Sequence, residues 1–154
     1  MYDQGGLILF QVIPGEGTST TSWMKTGIEF FSGKPFVGSV ATTQWSDWAL
    51  LPLGKEKGGK VTIQVERQVK EGAKLDSLWV YIVDEETGRK MEARQITSWF
   101  THDIPEGSNV TSDNRRLLIG VYAARPTVPA GEGRENEELA VKLEGFEVKL
   151  FDQL

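Results

Sequence analysis

The sequence predicts an all-β fold, an antiparallel two-sheet sandwich or jelly roll. Three observations carry that prediction. Short apolar or alternating runs recur along the chain, separated by breaks rich in Gly, Pro and charge. No stretch sustains the 3.6-residue apolar period of a long helix. Glycine is abundant, at 17 of 154 residues, while hydrophobic residues make up 39%, a balance that suits strands and turns better than a helical bundle. A chain of this length makes one domain, here residues 1–154, with a two-layer core.

Each run reads as follows. Residues 7–12 (LILFQV) form a continuous apolar strand bounded by Gly5-Gly6 and Pro14-Gly15, covered on both faces. Residues 14–22 are a polar loop. Residues 23–31 alternate: Trp23, Lys25, Gly27 and Glu29 share one face, and Met24, Thr26, Ile28 and Phe30 the other. Ser32-Gly33-Lys34-Pro35 turns the chain, and residues 36–44 return as a hairpin partner. The expected core of this unit is Met24, Ile28, Phe30 and Val40. Residues 48–53 begin the next strand, and residues 54–60 are a charged loop. In residues 61–69, Val61, Ile63 and Val65 point inward. Residues 78–83 (LWVYIV) are strong β-formers, with Trp79, Tyr81 and Val83 on one face. That face is either the second apolar layer or the floor of a groove, and core is the favoured reading for Trp79. Residues 84–90 are a second hairpin tip. Residues 91–100 fit a strand or one helical turn. Residues 117–124 (LLIGVYAA) read as another covered strand, and residues 139–151 alternate as a closing one. The intervening loops 101–115 and 125–138 are polar.

Composition excludes several functions. A net charge of −5 and a pI near 5.0 disfavour a nucleic-acid partner, which requires a basic face. No run of 18 apolar residues marks a membrane span. The N-terminus lacks a basic region, and its apolar run is too short for a secretion signal. With no cysteine, neither a disulfide nor a thiolate metal site is possible, and the expected location is the reducing cytoplasm. The sequon Asn109-Val110-Thr111 is then expected to stay unglycosylated. Oligomeric state is left open.

Tyr2-Asp3-Gln4-Gly5-Gly6-Leu7, the run Trp23 to Phe30, Trp45-Ser46-Asp47-Trp48 and Gly120-Val121-Tyr122-Ala123-Ala124 stand in the order of a known family's motifs. By these the chain resembles the regulation-of-enolase-like domain family, largely of unknown function. The closing Leu143-Glu144-Gly145-Phe146-Glu147-Val148 is similar to that family's last strand. The resemblance implies a concanavalin A-like jelly roll of the lectin and glucanase type. In relatives the Tyr2-Asp3-Gln4 motif follows a longer N-terminal segment. The resemblance therefore also implies missing first strands and an uncovered sheet edge, which could pair with another chain.

Candidate chemistry concentrates in residues 23–53. Trp45 and Trp48, three apart, cannot share a face of a regular strand, so a bend between them is expected. An indole there could stack on a pyranose while Asp47 accepts hydroxyl hydrogen bonds; the plain alternative is core packing with Asp47 capping a turn. Lys25 and Glu29 are either the polar groups of a site or a same-face ion pair. Tyr81 and Tyr122 join the ligand-binding candidates because their hydroxyls need partners, and Arg67 and Arg125 could rim a groove. The Glu-x-Asp-x-Glu run with which many glucanases of this fold catalyse is absent, which leaves Glu29 with Glu66 as the one carboxylate pair worth testing. His102, the only histidine, reads as a surface residue, and Asp103, Asn109, Asp113 and Asn114 match no calcium-loop spacing. No cofactor or metal is expected. The leading reading is a non-catalytic module binding a saccharide or small polar ligand on a concave sheet face. The alternative is a protein-interaction or regulatory domain, and a glycoside hydrolase comes third.

Overall fold

The computed structural model describes residues 2–12, 22–42, 45–53, 60–69, 76–97, 99–100, 116–127 and 138–150. Within them lie β1 (Gln4–Val12), β2 (Trp23–Phe31), β3 (Lys34–Thr42), β4 (Ser46–Pro52), β5 (Thr62–Val69), β6 (Asp76–Val83), β7 (Lys90–Thr97) and β8 (Arg116–Ala124), and no helix among the described residues. The strands form a five-stranded sheet, β4-β3-β2-β1-β8, and a three-stranded sheet, β5-β6-β7. Every pairing is antiparallel, giving a two-sheet sandwich. His102, read from sequence as a surface residue, and Asp103, Asn109, Asp113 and Asn114 lie outside the described residues, as does most of the 125–138 loop.

Local chemistry explains the hairpins. At the β2–β3 turn Ser32 and Gly33 both have positive φ, 51° and 75°. That is the type I′ geometry whose twist matches two flanking strands. It sets Phe31 opposite Lys34 and so fixes the register of the whole hairpin. At the β6–β7 tip the Asp84 carboxylate accepts from the backbone amides of Glu86 and Thr87, at 3.1 and 2.9 Å. This is an Asx-type turn, closed by Gly88 at φ 69°.

The core lies between the sheets. Leu9, Met24 and Ala41 come from the five-stranded side and Leu78, Val80 and Ile96 from the other, with Ile63 and Val65 packed against them. Trp99 and Phe100, just past β7, are buried edge-to-face at 4.9 Å and complete this cluster. Residues 91–97 are thus strand, and Trp99 and Phe100 lie in a turn.

Polar groups also cross the core. Thr26 and Ser39 share a hydroxyl hydrogen bond of 2.9 Å within the large sheet. Gln11 donates its side-chain amide to the Trp99 carbonyl. Arg94 of β7 donates to the Ser39 carbonyl at 2.6 Å, the Asp47 carbonyl at 3.1 Å and the Asp47 carboxylate at 2.5 Å. One guanidinium therefore satisfies β3 and β4 from the opposite sheet, which its five fixed donors allow.

Several expected core positions differ. Val40 pairs with Lys25 and Trp48 and faces away from the opposite sheet; Val37 and Ala41 take its place in the interior. Phe30, one residue from the turn, is exposed, and Ile28 is half-buried. Trp79 stands on the outer face of the small sheet, because the pairings Val65–Val80 and Leu78–Ile96 turn even-numbered β6 residues inward. Strand β8 is an edge, not a covered strand: Leu117, Leu118, Ile119 and Val121 are exposed. Among the described residues the small sheet has three strands against five, and the core cluster takes nothing from β8. Residues 138–150 form no strand, although Val141 sits where a Cβ on Gly5 would be.

Truncating Val80 to Ala should cost about 2–3 kcal/mol through lost burial and a cavity. Arg94→Met should cost about 2–4 kcal/mol, because it orphans the carbonyl of buried Ser39 and removes both bonds to Asp47. Asp47→Asn, at an exposed carboxylate, should cost under about 1 kcal/mol. Urea denaturation of the three variants would test this order.

Candidate functional site

Antiparallel register decides which side chains meet on the outer face of the five-stranded sheet. Three adjacent rungs matter. The middle one runs Tyr122, Gly6, Gly27, Gly38, Leu50 across β8, β1, β2, β3 and β4. One flanking rung is Ala124, Gln4, Glu29, Phe36, Pro52, and the other is Gly120, Ile8, Lys25, Val40, Trp48. Three glycines therefore share a rung, with Lys25 and Glu29 to either side of Gly27. A Cβ added to Gly27 would stand 2.7 Å from the Gly6 Cα, and one added to Gly6 would strike the Thr26 carbonyl. The two backbones leave room for nothing larger than hydrogen. A Cβ on Gly38 would come within 3.1 Å of the Glu29 Cβ and collide with its carboxylate. The Glu29 side chain therefore lies over Gly38.

The two charged side chains lean in opposite directions. Lys25 donates to the Gln4 side-chain carbonyl on β1 and stands 5.6 Å from the centre of the Tyr122 ring on β8, within reach of a cation–π attraction. Glu29 is buried and accepts at Oε2 from the Trp48 indole on β4 at 3.1 Å. Around the Glu29 end, Phe31 packs against Trp48, Phe36 and Tyr2 at centroid distances of 5.9, 6.2 and 5.8 Å. Burial, and secondarily the Glu29 charge, hold the Tyr122 phenol above its ordinary value of 10.0. At one end of the sheet the bidentate pair of Arg125 with Asp3, at 2.8 and 2.9 Å, ties the end of β8 to the start of β1.

Of the residues singled out from sequence, Lys25, Glu29, Trp48 and Tyr122 come together on this face. Three others do not. Asp47 neighbours Trp48 in the chain, so it takes the opposite face and binds Arg94. Trp45 stands at the bend before β4, 82% exposed. Tyr81 lies on the outer face of the other sheet, stacked on Trp79 at 6.0 Å. Glu66 is on that sheet too, bonded to Lys90 and Gln64, so Glu29 and Glu66 form no pair. Arg67 packs over Phe100 at 4.3 Å and Arg125 holds Asp3, so neither is a free rim. Gln4, Tyr2, Phe31 and Phe36 belong to the site face and escaped notice. Their signal was parity: Phe31 lies two residues on from Glu29 in β2, and Phe36 lies two residues into the returning strand, opposite Glu29. Among the described residues no group of three His, Cys, Asp or Glu could hold a metal.

Comparison with known proteins adds lineage but no activity. A family model described as a protein of unknown function (DUF1349) matches residues 1–151. An uncharacterised protein of Emericella nidulans is 38% identical over 131 residues, covering 85% of this chain and 56% of that protein. The crystal structure of a functionally unknown protein from Saccharomyces cerevisiae aligns with a TM-score of 0.49 at 20% identity, covering 82% of this chain and 53% of that one. The chain thus spans little more than half the length of either relative.

The raised Tyr122 value has a signed consequence. Between the ordinary tyrosine value and the higher folded one, the native chain keeps a proton that the unfolded chain has lost. Tyr122 therefore contributes stability that is complete below that window and declines as pH climbs through it. In a near-ultraviolet absorbance titration, Tyr122→Phe should remove the last tyrosine transition. In denaturation at alkaline pH it should flatten the loss of stability.

Proposed function

Because this chain belongs to a family of unknown function (DUF1349), we propose its function from its own geometry: a non-catalytic module that binds a saccharide or similar small polar ligand on the face around Gly6, Gly27 and Gly38. One observation carries the reading. A carboxylate, an ammonium, an amide, a phenol and an exposed indole converge on a single rung of glycines. Sugars present alternating apolar faces and hydroxyl edges. An indole stacks on the first, and fixed donors and acceptors read the second. Trp48 is the half-exposed ring available for stacking, and Lys25, Gln4 and Glu29 supply both hydrogen-bonding senses.

Glycoside hydrolysis finds less support. Both of its common mechanisms use two carboxyl groups flanking the bond. Among the described residues of the site face, Glu29 is the one acid that the register places there. We further read the sandwich as a concanavalin A-like jelly roll, which the sequence resemblance implies and which commonly places ligands on a sheet face. The alternative of a protein-interaction domain rests on a different observation, the exposed apolar row of edge strand β8. Such an edge is a template for strand pairing.

Tryptophan emission titrated with a panel of neutral and amino saccharides would test the reading. A binding saccharide should perturb emission at roughly millimolar concentration. The response should survive Trp45→Ala and be lost in Trp48→Ala, with thermal melts confirming that both variants fold. If no saccharide alters emission, or if Trp48→Ala responds as the parent does, this face is not a saccharide site.

A further inference from the structure

We infer that the Glu29 end of this face takes a cationic amine, so that the ligand class is an amino-bearing saccharide; the inference rests on the binding reading above and deepens it. Three observations converge on Glu29. First, the residue is only 8% exposed, and its Oε2 receives one neutral donor, the Trp48 indole. Among the described residues its Oε1 has no hydrogen-bond partner and no ion pair includes it, and this oxygen keeps access to solvent. A carboxylate this enclosed ordinarily has a cation or several donors to offset its desolvation.

Second, the cation next along the same strand is drawn elsewhere. Lys25 reaches over to Gln4 and Tyr122, on the β1 and β8 side, whereas Glu29 lies over Gly38 towards β4. The positive and negative ends of the face are thereby separated across the strands. Third, the surroundings of Glu29 are aromatic. Phe36 is its direct partner in register, Phe31 follows two residues on, and Trp48 and Tyr2 each pack against Phe31. Aromatic rings around a carboxylate are the arrangement that attracts ammonium groups, since the ring faces and the anion pull in the same sense. A uronate or phosphorylated sugar would instead bring like charge to Glu29.

The test is a calorimetric titration of the full chain at slightly acidic pH with glucose, glucosamine, N-acetylglucosamine and tetramethylammonium chloride. Glucosamine should bind about 10-fold tighter than glucose, equivalent to about 1.4 kcal/mol. N-acetylglucosamine, whose nitrogen carries no charge, should lose that gain. Glu29→Gln keeps an oxygen for the Trp48 indole and should bring glucosamine down to the affinity of glucose. Equal affinity of the parent for glucose and glucosamine would overturn the inference and leave the saccharide reading standing, as would a preference for glucosamine that persists in Glu29→Gln. Glu29-dependent binding of tetramethylammonium with no response to any sugar would overturn the amino-saccharide assignment together with the saccharide reading, leaving a cation site of another class. Silence towards all four probes would remove both.

Discussion

Three backbones come together at Gly6, Gly27 and Gly38, and the close approach at the first two is the constraint on which the large sheet depends. No side chain fits at Gly6 or Gly27 without striking the neighbouring strand. A one-residue slip of β1 against β2 would set Leu7 or Gly5 opposite Gly27 and turn every side chain of one strand over. The glycine rung therefore fixes β1 against β2, and the type I′ turn at Ser32-Gly33 fixes β3 against the other side of β2. With register held on both sides, the odd residues of β2 have no choice of face. Lys25 and Glu29 end up beside backbone instead of beside bulky neighbours, low against the sheet.

The two faces of the large sheet use polarity differently. On the inner face, polar groups serve cohesion: Thr26 with Ser39, Gln11 with the Trp99 carbonyl, and Arg94 spanning the gap to β3 and β4. Each is satisfied within the protein. On the outer face the described residues leave hydrogen-bonding capacity open to solvent. Glu29 has one donor for two oxygens, and Lys25 has one acceptor and a ring for three hydrogens.

How much of this was legible in the sequence follows from the range of each interaction. The all-β class, the β2–β3 hairpin and the two faces of β2 depend on period-2 alternation and a local turn, and all were readable. So was the pairing of Lys25 with Glu29 on one face, four residues apart in one strand. Asp47 could have been separated from Trp48 by the same parity rule, since adjacent strand residues face opposite ways. Tyr81 could not: whether a strand joins one sheet or the other is a long-range choice that alternation does not encode. The same holds for the inward face of β6, where Leu78, Val80 and Ile82 won over the larger Trp79 and Tyr81. Strand β8 misled for a related reason. Continuous apolar character reads as burial on both sides, but cover requires a second layer, and among the described residues the small sheet has three strands to set against five.

That placement of β8 bears on Tyr122, the outermost residue of the glycine rung. Edge strands open locally at lower free energy than central ones, because one row of their amides has no partner strand. Tyr122 is held by its pairing with β1 and, through its strand end, by the Arg125–Asp3 clamp. A molecule bridging Lys25 and Tyr122 would act as a rivet between the fraying margin of the sheet and its interior. Affinity for that molecule and order in β8 would then be two readings of a single coupled equilibrium.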